Sequence, residues 1–432
     1  MAPKPTSERP VGGSALRAFS VVKPPKRHLR AYAALAPKAI VLARARAQRR
    51  RLSALPIAIT GSVGKTTTKH LLTAALRTAG PTVALVGNSN RAQGLAEAVA
   101  MTDRATQFLV QEIGAARAGA GTLDELLWAL EPRVSVITTV HSDHLAGFGG
   151  ADGVAQEKRK AIAVLPATGL AVLNADDPRV LEMATAAGCR VVLVGRASDA
   201  DVRIDSAELD PNGRVVVRLT DGTAEHTVAT QLVGVHWATA VALAFATATR
   251  LGADPSLVIR ALAAVPPSRE RLDLVTTPAG VLYLVDTSKA TEATVSPAFA
   301  ALAGIPARRR VAVIGLLLEF VEGSPSEIVG RVTDRALSVA DQVLLYGRSA
   351  ANAPEATAAD PRVRLYSSIR ALSDDLWAEA QDGDLVLLMG TLNTDHLSRV
   401  ALRVTHDVRC WRDDCRKRTP CDRCPLLGPI RA

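Results

Sequence analysis

Short apolar, β-branched runs recur along the chain, and each is stopped by a polar residue or a glycine. Residues 55–59 run into Thr60-Gly61, residues 108–110 into Gln111-Glu112, residues 134–140 into His141, and residues 171–173 into Asn174. Such runs are typical of buried strands. Between them, residues 69–76 place Leu71, Leu72, Ala74, Ala75 and Leu76 at helical spacing. Further on, runs at 281–285, 310–314, 342–346 and 384–389 alternate with helical stretches, which predicts a parallel sheet flanked by helices. The expected class is α/β. No apolar run approaches the roughly 20 residues of a membrane span, and no signal-peptide core is present, because the alanine-rich stretch from Ala31 is interrupted by Pro37 and Lys38. A cytoplasmic protein without a membrane span is expected.

Candidate chemistry begins with Thr60-Gly61-Ser62-Val63-Gly64-Lys65-Thr66-Thr67-Thr68, placed between the first strand and the helix 69–76. A glycine turn ahead of a helix N-terminus can aim backbone N–H groups at a polyphosphate. The lysine can reach the terminal oxygens and the Thr66 hydroxyl can face Mg²⁺. A generic Walker loop requires glycine five positions before Gly64, where Ile59 stands. The shorter form Gly-x-x-Gly-Lys-Thr-Thr fits, and it resembles the ATP loop of the Mur ligase family of ATP-dependent amide ligases.

Other segments agree with this resemblance. Glu112 closes a predicted strand where the family places a magnesium-binding glutamate. His144, in His141-Ser142-Asp143-His144, matches the family's metal-site histidine, and Lys158, fourteen residues on, matches the lysine that many members carry as a carbamate, with Lys160 its rival. Asn174 matches an adenine contact. Arg271 matches the linker arginine, and Asp286-Thr287-Ser288-Lys289-Ala290-Thr291 is similar, with Thr287 inserted, to a family segment whose aspartate binds ribose and whose lysine faces the γ-phosphate or the incoming amine. Gly315-Leu316-Leu317-Leu318-Glu319 resembles a turn of the tripeptide-extending member, whereas 389–396, Met-Gly-Thr-Leu-Asn-Thr-Asp-His, departs from the family pattern near the acceptor.

The resemblance implies a P-loop central domain over 53–267 and a Rossmann-like C-terminal domain over 268–402. It implies ATP held by Gly61, Ser62, Val63, Gly64, Lys65, Thr66, Thr67, Asn174, Arg271 and Asp286. Two Mg²⁺ ions would be organised by Thr66, Glu112, His144 and a CO₂-derived carbamate on Lys158, and Lys65, Lys158, His144 and Lys289 would serve catalysis. Each of these side chains also has a plainer reading as a loop histidine, strand-end charge or solvated lysine; their joint spacing favours the site. The expected reaction joins a small-molecule or peptide carboxylate to an amino acid or other amine through an acyl phosphate, with ADP and phosphate released. A polymerising ligase of cyanophycin or polyglutamate type, or a non-catalytic ATP-dependent binding protein, are the alternatives.

Charge and cysteines add two features. Of 52 Lys and Arg against 42 Asp and Glu in the chain, thirteen lie in residues 1–51 against the single acid Glu8. This basic arm, 1–52, leaves little room for the family's usual UDP-sugar domain, and residues 32–51 are expected to be helical apart from Pro37. The arm could contact an anionic polymer or carrier, or simply pack as a solvated helix. Nucleic acid is not expected, since no nucleic-acid-binding module or aromatic interleaving is present. The basic tail, 403–432, carries Cys410, Cys415, Cys421 and Cys424 in a C-x4-C-x5-C-x2-C pattern. In a cytosolic chain that reads as a metal site: zinc first, with an iron–sulfur cluster or reducible thiols as alternatives. Cys189 is expected in a strand core.

Overall fold

The computed structural model describes residues 38–87, 90–114, 122–141, 150–392, 394–413, 415, 417 and 419–430. The predicted apolar runs are strands of two sheets. In the first, β1 (Leu55–Thr60), β2 (Thr82–Val83), β3 (Phe108–Glu112), β4 (Val134–Ile137), β5 (Leu170–Asn174), β6 (Arg190–Gly195), β7 (Val202–Leu209), β8 (Arg214–Thr220) and β9 (Glu225–Val233) are ordered β2-β3-β1-β4-β5-β6-β7-β8-β9. Pairing is parallel from β2 to β7 and antiparallel through β8 and β9.

Strand alternation sorts the side chains of this sheet onto two covered faces. Ile57 and Ile59 point to the side of α2 (Lys65–Leu76) and of the helices Ala238–Arg250 and Pro255–Ala263. Ala58, Leu109 and Ile137 point to the other side, where α1 (Lys38–Arg49), α3 (Ala92–Met101), α4 (Leu123–Leu130) and α5 (Ala151–Ala163) pack. Both faces of β1, β3, β4 and β5 are covered, so these strands read as continuous apolar runs. A capping box starts α4, in which Thr122 N–H donates to Glu125 at 2.6 Å and Glu125 N–H donates to the Thr122 hydroxyl at 3.2 Å.

The described part of the basic arm is the packed helix α1. Leu42 and Ala45 are buried, Arg46 lies 4.3 Å over the Trp128 ring, and Arg46 and Arg50 converge on Glu131 at 2.7 and 2.6 Å. The Arg50 and Arg46 guanidiniums hold the Glu131 carboxyl down at about 2 despite its partial burial. These arginines are engaged by the α/β body. Cys189 precedes β6 and is only partly buried at the edge of the core, so the expectation that it sits within a strand is corrected by one residue.

The second sheet has the order β10-β11-β17-β13-β15-β16, formed by β10 (Asp273–Thr276), β11 (Leu282–Asp286), β13 (Arg309–Ile314), β15 (Gln342–Tyr346), β16 (Val363–Tyr366) and β17 (Asp384–Met389). Only β10 runs antiparallel to its neighbour. A separate two-stranded parallel pair joins β12 (Ala290–Thr291) to β14 (Leu317–Leu318), and the tail forms an antiparallel pair of β18 (His406–Val408) and β19 (Leu427–Ile430). The architecture is α/β, as the sequence predicts.

Candidate active site

Strand order puts the phosphate loop at a topological switch point. β1 lies between β3 and β4; the connection from β1 runs to β2 on one side and the connection from β3 crosses to β4 on the other, and this reversal opens a crevice at the carboxyl ends of the strands. Register then aligns Ile59 with Glu112 and Thr60 with Ile137. Gly61 and Gly64 have φ of 146° and 86°, and a Cβ on Gly61 would run into the Thr138 side chain. Glycine is needed there because the loop must turn in the left-handed region while lying against β4.

The loop is fixed from the neighbouring strand end. Ser62 N–H donates to Thr139 O at 2.7 Å, Val63 N–H donates to the Thr139 hydroxyl at 3.2 Å, and the Thr138 hydroxyl donates to Val63 O at 2.6 Å. His141 N–H donates to the Ser62 hydroxyl at 3.0 Å. Lys65 Nζ donates to the Gly61 and Ser62 carbonyls at 2.6 and 2.7 Å, at the mouth of the loop. No side chain caps the N-terminus of α2, and no acid sits in its first turn. The helix end is therefore suited to an anion.

Behind the loop, Thr66 Oγ1 donates to Glu112 Oε2 at 2.9 Å, and Lys69 Nζ lies 3.4 Å from the same oxygen. Glu112 and Lys69 are each 1% exposed. Burial pushes the Lys69 ammonium below its ordinary range, partly offset by Glu112, while Lys69 also donates to Gly87 O. Glu112 Oε1 is buried with no hydrogen-bond partner among the described residues. An orphaned carboxylate oxygen beside a threonine hydroxyl at a phosphate loop is a hard-oxygen donor set, and it fits Mg²⁺.

Lys158 on α5 is 4% exposed, whereas Lys160 is spent at the surface on Asp124 and Glu157 at 2.7 and 2.6 Å. Asn174 is buried at the end of β5; its amide donates to Thr138 O at 2.7 Å and its oxygen accepts from Asp176 N–H at 3.1 Å, so it ties two strand ends together. His144 lies outside the described residues.

A second cluster forms at the carboxyl ends of β11, β13 and β17. Asp286 and Ile314 are both in register with Met389. The β12–β14 pairing brings the 286–291 segment beside 315–319, and Lys289 Nζ pairs with Glu319 Oε1 at 2.5 Å. Asp395 accepts from the N–H groups of Leu316 and Thr391 at 2.5 and 2.9 Å, which fixes the divergent 389–396 turn onto the same edge. The linker reaches back to α2, because His70 Nδ1 lies 3.1 Å from Ser268 Oγ, and the positive field of Arg271 acts on Lys69, His70 and Asp286. Two motifs distant in sequence thus share one edge. Lys69, Glu319 and Asp395 are the members of the site that the sequence reading assigned no role.

Burial pushes the Asp286 carboxyl up to about 7, with Arg271 partly offsetting it. A carboxyl raised in the folded state contributes stability that is present below pH 3.8 and lost as pH rises through about 7. Asp286→Asn should therefore stabilise the ligand-free protein by about 1–3 kcal/mol at pH 8 and leave it little changed at pH 4. Urea unfolding at the two pH values checks this, and equal effects at both would refute it. His70 behaves oppositely: burial depresses it from 6.5 to about 4, so its contribution is present above pH 6.5 and lost as pH falls through about 4. His70→Gln should flatten the loss of stability between pH 6.5 and 4, measured in the same way.

In the tail, Cys410, Cys415, Cys421 and Cys424 line one small cavity with His396. Among the described residues, however, no three metal-ligating side chains stand grouped to hold an ion.

A phosphate loop at the switch point of one parallel sheet, completed by the strand ends of a second, defines a two-domain nucleotide-binding ligase architecture. Residues 59–248 match the Mur ligase middle domain and residues 270–392 the Mur ligase glutamate ligase domain. The UDP-N-acetylmuramoyl-tripeptide--D-alanyl-D-alanine ligase of Mycobacterium tuberculosis is 33% identical over 378 residues, covering 82% of this chain and 73% of that protein. The UDP-N-acetylmuramate--L-alanine ligase of Kineococcus radiotolerans is 30% identical over 360 residues, covering 77% and 71%. The crystal structure of MurF from Acinetobacter baumannii is similar in fold, with a TM-score of 0.73 and 23% identity, covering 85% of this chain and 79% of that one. The chain belongs to the Mur ligase family, a family of ADP-forming acid–amino acid ligases.

Proposed function

We propose that the protein is an ATP-dependent carboxylate–amine ligase that releases ADP and phosphate. The observation that carries this reading is the phosphate loop set against a buried Glu112 whose Oε1 is unpartnered, with Thr66 2.9 Å from its other oxygen. The N–H groups at the start of α2 cradle the nucleotide phosphates, and Lys65 shifts from the Gly61 and Ser62 carbonyls to the γ-phosphate. A substrate carboxylate oxygen attacks the γ-phosphorus, the bond to the β-phosphate oxygen breaks, and ADP leaves. An amine then attacks the acyl phosphate, loses its proton and expels inorganic phosphate. Mg²⁺ would be held by Thr66, Glu112, His144 and Lys158 as its carbamate, and it would neutralise the crowded phosphate and carboxylate charges. Lys289, paired with Glu319, steers the acyl phosphate and the amine. The inward position of Lys158, against the surface pairing of Lys160 with Asp124 and Glu157, supports Lys158 as the carbamate carrier.

Relatives with different amine substrates in their names match this chain at similar identity, 33% and 30%, so the amine is left at the level of an amino acid or small peptide. The test is nucleotide product analysis with ATP, Mg²⁺ and bicarbonate over a panel of carboxylic acids and amines, with hydroxylamine to trap the acyl phosphate. Acid-dependent ADP and a hydroxamate are expected. AMP as product, or nucleotide binding with no acid-dependent turnover over the panel, would overturn the reading. Lys158→Ala should lower turnover by about 10²-fold or more and abolish a carbamate signal from ¹³C-bicarbonate in NMR spectra of the protein; a persisting signal would move the carbamate elsewhere.

A further inference from the structure

The tail holds chemistry that ligation does not use. Arg399 is 2% exposed and directs its guanidinium at backbone carbonyls: those of Asp395 and His396 at 3.3 and 3.2 Å, and those of Cys410 and Arg412 in the tail at 3.0 and 2.8 Å. His396, 1% exposed, uses both ring nitrogens on the tail, with Nε2 3.0 Å from Cys415 O and Nδ1 3.3 Å from Cys421 Sγ. Between Cys421 and Cys424, Asp422 forms an ion pair with Arg269 of the interdomain linker. The tail therefore touches both the linker that carries Arg271 and the turn that Asp395 fixes at the second cluster.

Cys410, Cys415, Cys421, Cys424 and His396 all line one small cavity. Four cysteines around one cavity suit a single tetrahedral zinc ion. We infer that Cys410, Cys415, Cys421 and Cys424 form a structural zinc site, with His396 as its hydrogen-bonding neighbour, and that the ion clamps the tail across the linker and the 389–396 turn. No three of these donors are yet grouped to hold an ion, so binding draws the Cys410–Cys415 and Cys421–Cys424 segments inward and releases thiol protons to solvent. Four thiolates satisfy tetrahedral zinc without a water position, which makes the site structural. The cysteine spacing identifies the donors. Arg399 and His396, which no spacing rule would select, supply the frame.

The experiment uses the full chain. Protein expressed with zinc and desalted is expected to carry one zinc per chain by atomic emission and to release it when the thiols are titrated with a mercurial. Cobalt in place of zinc is expected to give thiolate-to-cobalt charge-transfer absorption. Cys424→Ser, at a half-buried position, should lose both signals, and Cys189→Ser should keep both. Removing zinc should speed amide exchange about tenfold or more over residues 268–272 and 390–396, and Asp422→Ala should do so over 268–272 alone while keeping the metal. Four reducible thiols that bind neither metal would overturn the site. Iron with sulfide in the isolated protein would overturn the ion chosen, and bound zinc with unchanged exchange at the linker and turn would overturn the clamp. Each readout is independent of turnover, so it stands or falls separately from the ligase reading.

Discussion

Lys65→Ala is expected to lower acid-dependent ADP release by about 10³-fold. The ammonium is the positive group set directly at the phosphate loop, 2.6 and 2.7 Å from the Gly61 and Ser62 carbonyls. Those contacts keep it at the mouth of the loop until phosphate oxygens replace them. Because the side chain is not part of the core, thermal unfolding should change by no more than about 0.5 kcal/mol in equivalent stability. A coupled assay for ADP and a melting curve separate the two effects. Turnover above a tenth of the parent rate would remove Lys65 from the phosphate site.

Glu112→Ala should be equally inactive but for two reasons at once. It removes the carboxylate that fits Mg²⁺, and it leaves Lys69 as an uncompensated cation at 1% exposure. Breaking a buried pair from one side costs about 3–5 kcal/mol, far more than the pair contributes against apolar replacements. The double variant Glu112→Met with Lys69→Met should therefore recover much of the lost stability while remaining inactive. Urea unfolding of the two single variants and the double one forms the cycle. A cost below about 1 kcal/mol for Glu112→Ala would mean that Lys69 finds water or another acceptor when Glu112 is lost.

The frame of the molecule was legible because strands covered on both faces leave an uninterrupted apolar trace. Residues 108–112 and 384–389 were read with the boundaries that β3 and β17 have. The end of such a run put Glu112 at a strand terminus, while its magnesium role and the ribose role of Asp286 rest on the resemblance to family segments. Three-dimensional selection was less legible. Lys158 and Lys160 lie two positions apart on one helix, and only packing shows that the first faces inward while the second is paired at the surface. Lys69 and Arg399 carry no distinguishing signal in the sequence, because burial of a cation depends on acceptors far away along the chain: Glu112 for one, tail carbonyls for the other. The antiparallel β7–β9 extension carried a local signal in Asn212-Gly213 and Asp221-Gly222, whose glycines have φ of 75° and 85°, yet those turns have no part in the site.

Arg399 also sets a rule for anyone cutting or recombining this chain. Its bonds to the tail go to main-chain oxygens of Cys410 and Arg412, so side-chain substitutions in that stretch leave them intact, whereas truncation before residue 410 strips them away. A shortened protein ending there would keep the Arg399 bonds to the Asp395 and His396 carbonyls but lose its two tail acceptors, leaving a buried guanidinium half satisfied. Chimeras should accordingly exchange residues 395–430 as one cassette.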